Sequence, residues 1–247
     1  MGGKAFPIGV PQVRPARGPS ARGTGPPGDP WPPARPPHTG PDPRAPPDPS
    51  PQVPYRNQRD GMWQWIDIWN CLYRDRIIFL YQAVDEELGN QLVATMLYLD
   101  SENKKDISLY VNGTGGEVVP ILAMHDTMRH IQSDVSTVGF GGCMGMMGFV
   151  LAMGAQGKRY ALPNTRVMLH HPSGQARGQA SDIHRESREL LRQRDYITAL
   201  LAVQTGNDYD KIKYDISRNL YMSAEDAKDY GVIDTIVRPR RGIGASG

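Results

Sequence analysis

Gly139–Pro172 reads GFGGCMGMMGFVLAMGAQGKRYALPNTRVMLHHP, and its order of glycines, apolar residues and histidines decides the fold. Glycines crowd its beginning, an apolar run follows, the chain turns again at Gly154–Gly157, and His170-His171-Pro172 closes it. Glycine ahead of an apolar segment predicts a tight strand-to-helix turn, made where the backbone comes close to something else. Hydrolases place a nucleophile on such a turn, at the positive end of the helix that follows.

Working outward, the chain alternates. Arg76–Tyr81 (RIIFLY) reads as a buried strand, and Asp85 caps a helix through Leu99 with apolar residues at Leu88, Leu92, Met96 and Leu99. Ile107–Val111 is a second strand, Asn112–Gly116 a glycine turn, Glu117–Ile131 a helix and Val135–Phe140 a third strand. This alternation predicts an α/β domain with parallel pairings. Beyond Pro172 a polar loop, SGQARGQASD, leads into a helix from Ser181 to about Thr205. Leu190, Leu191, Ile197, Leu200 and Leu201 recur on it at helical spacing, and Gly206 ends it. At about 1.5 Å per residue it exceeds 30 Å, long for a domain of this size. Ser223 starts a last helix, Gly231 stops it, and Val232–Val237 is a closing strand.

The amino-terminal part has another character. Eighteen of the 22 prolines lie in residues 1–60, with eight Lys/Arg against four Asp/Glu. Such a segment buries too little apolar surface to offset its ordering entropy, so residues 1–54 are expected to be a disordered arm. Its basic start has two readings, part of an organelle transit sequence or a retained extension, and the PQV repeat at Pro11–Val13 and Pro51–Val53 favours the second. Residues 55–240 are expected to form the folded domain and 241–247 a short flexible tail. Three of the four tryptophans fall in Trp63–Trp69, a density that predicts core or a buried interface.

Composition excludes several classes. No apolar run reaches the roughly 18 residues that span a bilayer, so no membrane association is expected. A net charge of +2 without a basic stripe in the folded part argues against nucleic acid. Cys71 and Cys143 are too few and too scattered for a disulfide framework or a zinc site. His170 and His171 face opposite ways as strand neighbours and have no third ligand in register, so no metal and no cofactor is expected. His125, His130 and His184 read as helix-surface residues, and Met144, Met146, Met147 and Met153 as adaptable core.

The pattern AxGAxGKRxALPNxRxMxHxP over Ala152–Pro172 resembles the ClpP family, the proteolytic subunits of the ATP-dependent Clp protease, and the resemblance runs from about Tyr55 to Arg238. It implies the ClpP/crotonase-type superhelix of strand–strand–helix units, with Ser181–Thr205 as the handle helix between facing rings. The family's nucleophilic serine falls on Gly145, its histidine on His170, and its aspartate on Asn219. Gly115, Gly116 and Met146 match its backbone oxyanion donors, and Met147 replaces a glycine and is expected to fill the substrate groove.

A glycine at the nucleophile position forms no acyl-enzyme, and Asn219 carries no charge to stabilise an imidazolium. This degenerate set, with the PYR…WQWIDIW opening at Tyr55–Trp69, resembles the ClpR subunits, the silent relatives found with ClpP subunits in cyanobacteria and chloroplasts. The resemblance implies a structural subunit of a hetero-oligomeric double ring that meets an AAA+ Clp chaperone, in the chloroplast stroma or a cyanobacterial cytoplasm. Two rival readings stand beside it. One is a peptidase with Cys143 as displaced nucleophile, and the other is a crotonase-like acyl-CoA enzyme sharing the fold and oxyanion hole.

Overall fold

The computed structural model describes residues 51–56 and 61–238, in two units divided after Asp75. The first holds an antiparallel hairpin, β1 (Gln52–Arg56) and β2 (Trp63–Asp67), with Pro54 opposite Trp65, and then α1 (Ile68–Arg74). Asp67 starts that helix, because one carboxylate oxygen accepts the N–H groups of Trp69 and Asn70, first-turn donors without an intrahelical partner. At its other end the Arg74 guanidinium lies over the Tyr55 ring, 5.0 Å from the centre. The expected disordered arm lies outside the described residues through Ser50, and its last residues, Gln52–Pro54, are strand. The expected tail over 241–247 also lies outside them.

The second unit alternates as the sequence predicts. Its elements are β3 (Ile77–Leu80), α2 (Glu86–Glu102), β4 (Ile107–Gly113), α3 (Val118–His130), β5 (Val135–Met144), α4 (Met146–Ala152), β6 (Arg159–Ala161) and β7 (Arg166–Leu169). Then come α5 (Ala180–Thr205), α6 (Tyr209–Asp215), β8 (Leu220–Met222), α7 (Ala224–Tyr230) and β9 (Thr235–Ile236). Strands run in the order β3-β4-β5-β6-β9, all parallel, while β7 pairs parallel with β5 and antiparallel with β8. This is a mixed α/β fold on a parallel sheet, consistent with the ClpP architecture.

The central strand explains the layout. Val135–Gly139 is buried throughout, as a parallel strand covered on both faces must be. Thr137–Gly139 pairs with β6, whereas Gly142–Met144 pairs with β7. The glycines expected to form a turn are therefore strand, and the turn comes only at Gly145. Gly141 sits at φ +64, and Asn112 Oδ1 accepts the Gly142 N–H at 3.1 Å where the β4–β5 register shifts. A side-chain amide thus takes a donor that the irregular ladder leaves over.

Three helix ends meet on one side chain. Arg159 is nearly buried, and its Nη1 donates to the carbonyls of Ala152, Gln204 and Gly231, at the carboxyl ends of α4, α5 and α7. Its Nε and Nη2 bind the two oxygens of Asp234 at 3.0 and 2.6 Å. A cation at a helix carboxyl end complements the macrodipole, and one guanidinium does so here for three helices.

Helix α5 divides in two. Ile197, Thr198, Leu201 and Gln204 bury its second half, and Gly206 ends it at φ +72. Ala180–Glu189 are exposed all round, so the first half reaches away from its own core. Among the described residues no helix is long and apolar enough to cross a membrane.

Candidate functional site

The sheet brings the predicted residues to one end. Gly145 follows β5, and its N–H donates to the Met168 carbonyl of β7 at 2.7 Å. β7 then delivers His170, and the antiparallel register Leu169–Leu220 carries Asn219 to the facing position beside it.

Gly145 adopts φ +57 and ψ −121, a backbone that L side chains rarely take. A Cβ built there would lie 2.8 Å from His170 Nε2. His170 therefore stands over the elbow, in the space a nucleophilic side chain would use. Its Nδ1 lies 2.5 Å from the His171 carbonyl oxygen. Since a carbonyl only accepts, Nδ1 donates to it, and Nε2 is the ring nitrogen turned toward Gly145. Asn219 is exposed and makes no side-chain hydrogen bond among the described residues. The ring nitrogen that a third member would hold is bonded to backbone instead.

The residues expected to supply backbone donors also lie together. Met146 heads α4, where a first-turn N–H has no acceptor within the helix. Gly115 sits at φ +131 beside it, with a built Cβ 3.9 Å from the Met146 nitrogen. At Gly116 a Cβ would meet the Val84 nitrogen at 2.6 Å and its oxygen at 2.7 Å, so only glycine fits under that strand-like bridge.

Three expectations need correction. Met147 does not fill an open groove. It is fully buried, its Cε 3.3 Å from where a Gly113 Cβ would stand, and it packs beneath the end of β4. Cys143 is fully buried as well, and its Sγ donates to the Val111 carbonyl at 3.2 Å. Burial pushes its thiol up to about 12, so at neutral pH it is no thiolate nucleophile. His125 is buried on α3 rather than on the helix surface, edge-on to Phe149 of α4 at 6.2 Å.

On α5, Leu191 is 49 % exposed and Leu190 and Leu200 are half-buried, while Ile197 and Leu201 belong to the core. Asn112 and Arg159 were not singled out by sequence reasoning. An asparagine closing a strand before glycines is the available signal for the first, and the GKR of the Ala152–Pro172 pattern is the signal for the second, though it does not disclose the role.

A profile of the Clp protease family matches residues 58–240. The chain belongs to the Clp protease family. Over 193 residues it is 49% identical to the ATP-dependent Clp protease proteolytic subunit-related protein 2, chloroplastic, of Arabidopsis thaliana, covering 78% of this chain and 69% of that one. It is also 49% identical over 191 residues to ATP-dependent Clp protease proteolytic subunit 1 of Gloeobacter violaceus, covering 77% and 96%. A proteolytic subunit of Oltmannsiellopsis viridis is 46% identical over 187 residues, covering 75% and 96%. The subunit-related protein of Arabidopsis and subunit 1 of Gloeobacter stand at equal identity. Overall likeness therefore does not separate them, and the residues of the elbow must. Membership also sets aside the acyl-CoA enzyme reading.

Proposed function

We propose that this chain is a non-catalytic, ClpR-type subunit of an ATP-dependent Clp protease core. It builds the ring beside catalytic subunits and shapes the chamber in which they degrade protein. The observation that carries this reading is Gly145, which offers His170 no hydroxyl to activate, so a covalent acyl intermediate has no atom to form on. Among the described residues no carboxylate bonds His170, whose Nδ1 meets the His171 carbonyl instead, and this supports it further. Triad residues act as a unit, so losing one member already removes most of the rate. The partners are ClpP- and ClpR-type subunits in a double ring and an AAA+ Clp chaperone, and the compartment is the chloroplast stroma or a cyanobacterial cytoplasm. The exposed half of α5 is the assembly handle, and residues 1–50 are dispensable for it.

The test is to isolate the complex through a carboxyl-terminal tag on this chain and treat it with a fluorophosphonate probe. Label is expected on co-purifying subunits and none on this chain. Stoichiometric label on this chain that disappears in His170→Ala overturns the reading, and so does a chain that purifies without any Clp subunit.

A further inference from the structure

The hairpin of β1 and β2 gathers two tryptophans on one face. Residues directly opposite in an antiparallel pair share a face, so Pro54 with Trp65 and Arg56 with Trp63 lie on one side, with Asp67 at its end. Tyr55 is on the other side, under the Arg74 guanidinium of α1. On the tryptophan side Pro54 and Arg56 are exposed and the two indoles are half-buried.

Two polar atoms of that face are left over. Trp63 Nε1 and Asp67 Oδ1 are shut off from water, and neither has a hydrogen-bond partner among the described residues. The other Asp67 oxygen is already engaged in capping α1. A buried donor and a buried acceptor call for partners. They sit four residues apart on one strand, about 13 Å. An occupant of this face therefore needs flat apolar groups for the indoles, an acceptor for an N–H, and a donor for a carboxylate.

The chain carries such a segment. Residues 1–50 lead into β1 through Pro51, whose carbonyl accepts the Ile68 N–H at 2.9 Å. Within them residues 32–37 (PPARPP) hold four prolines and one arginine, with no acid. Such sequence favours the polyproline II helix, whose carbonyls lack internal partners and whose period of three puts Pro33 and Pro36 on one ridge. Ridges of this kind dock against aromatic side chains. A carbonyl of the segment suits the Trp63 N–H, and the Arg35 guanidinium suits the Asp67 carboxylate. The 13 residues 38–50 that join it to β1 reach up to about 43 Å, against about 17 Å for a five-residue strand.

We propose that residues 32–37 fold back onto the tryptophan face of the hairpin as an intramolecular ligand. Tethering holds the segment at roughly millimolar local concentration, so a weak contact is enough. The contact forms within one chain and does not depend on whether that chain is catalytic or assembles.

The test uses the full-length chain with the photocrosslinker p-benzoylphenylalanine in place of Ala34. Irradiation of dilute protein, followed by digestion and mass spectrometry, should link this position to the Trp63–Asp67 strand. An equal mixture of isotopically light and heavy protein should give links within one chain and none between copies. Pro33→Ala with Pro36→Ala should lower the yield about ten-fold, and so should Trp63→Phe, which removes the N–H and keeps an aromatic ring. Arg35→Glu should lower it as well, whereas Arg44→Glu should not. The proline and arginine variants leave the hairpin untouched, so a misfolded Trp63→Phe does not decide the result. Links confined to other parts of the chain overturn the proposal, as do links between copies, or a yield unchanged by the proline and Arg35 variants. A chain that fails to enter a Clp complex would still show the link, so this contact and the assembly reading fail separately.

Discussion

A Cβ on Gly145 would stand 2.8 Å from Nε2 of His170, closer than such atoms approach without something moving. The histidine has settled into space that a serine side chain would occupy. The elbow conformation survives, at φ +57, but it is now shaped around glycine.

Restoring the nucleophile alone should accordingly fail. Gly145→Ser must displace the imidazole and hold a side chain at positive φ, at a cost of about 1–3 kcal/mol. Its peptide hydrolysis should stay near background in a fluorogenic assay, because Nδ1 of His170 is still bonded to backbone. Adding Asn219→Asp should raise turnover by orders of magnitude, since an Asp→Asn change in a Ser-His-Asp triad costs about 10⁴. Met147→Gly should not help, because emptying a fully buried methionine site destabilises by about 2–5 kcal/mol. High activity from Gly145→Ser alone would show that Asn219 does not matter.

The two halves of α5 should respond in opposite ways. Leu191→Asp, at a half-exposed residue, should leave the circular dichroism spectrum unchanged and remove the chain from the large complex on native mass spectrometry. Leu201→Asp, at a residue 2 % exposed, should unfold the monomer, since it gives up about 1.5–3 kcal/mol of burial and buries a charge as well. If Leu191→Asp enters the complex at wild-type yield, α5 is not the handle.

Arg159→Met should cost about 3 kcal/mol or more in urea denaturation, because it leaves the Asp234 carboxylate and the ends of three helices without their donor. Arg159→Met combined with Asp234→Asn should recover part of the loss. An unchanged midpoint for the single variant would mean that water replaces the guanidinium at no cost.

His125 gives the fold an acid-sensitive point. Burial, with Arg129 adding to it and Asp126 opposing, holds its pKa below the usual histidine value. The unfolded chain then binds a proton at a higher pH than the folded one. Stability is full above the unfolded value of about 6.5 and falls as pH drops below it. His171, pushed down by burial and then by Arg194, acts with the same sign. The urea midpoint should therefore fall between pH 7.5 and 5.5, and His125→Phe should fall less. Equal slopes would place the titrating group elsewhere.

The elements legible in the sequence are those fixed by local chemistry. The Asp85 cap, with its oxygen on the Leu88 N–H, and the Ser223–Asp226 capping box both form where composition places them. The glycines of β5 suggest a turn, yet pairing with β7 and the Asn112 amide hold them extended. The closing strand is shorter than the expected Val232–Val237. After Gly231, Val232 and Ile233 are buried and Asp234 is tied to Arg159, so only Thr235–Ile236 enter the ladder. The short helix Tyr209–Asp215 is not among the expected elements, although Asp208 caps it and Ile212 is its buried residue. At the site, Gly145 and His170 were legible as a pair, but the neighbour taken by Nδ1 was not. That depends on a rotamer, and no spacing encodes a rotamer.

The bare first half of α5 has a consequence for an orphan copy of this chain. Ala180–Glu189 touch little but solvent, so this end of α5 is held only by propagation from the packed half, without the tertiary burial that gives helices most of their stability. In an unassembled copy this segment should fray, and it should become firm only when a neighbour covers it. Surplus copies would then carry an unwound stretch of about ten residues that assembled copies conceal. A complex whose work is to draw in loose polypeptide would thereby be able to tell its own unused parts from its finished walls.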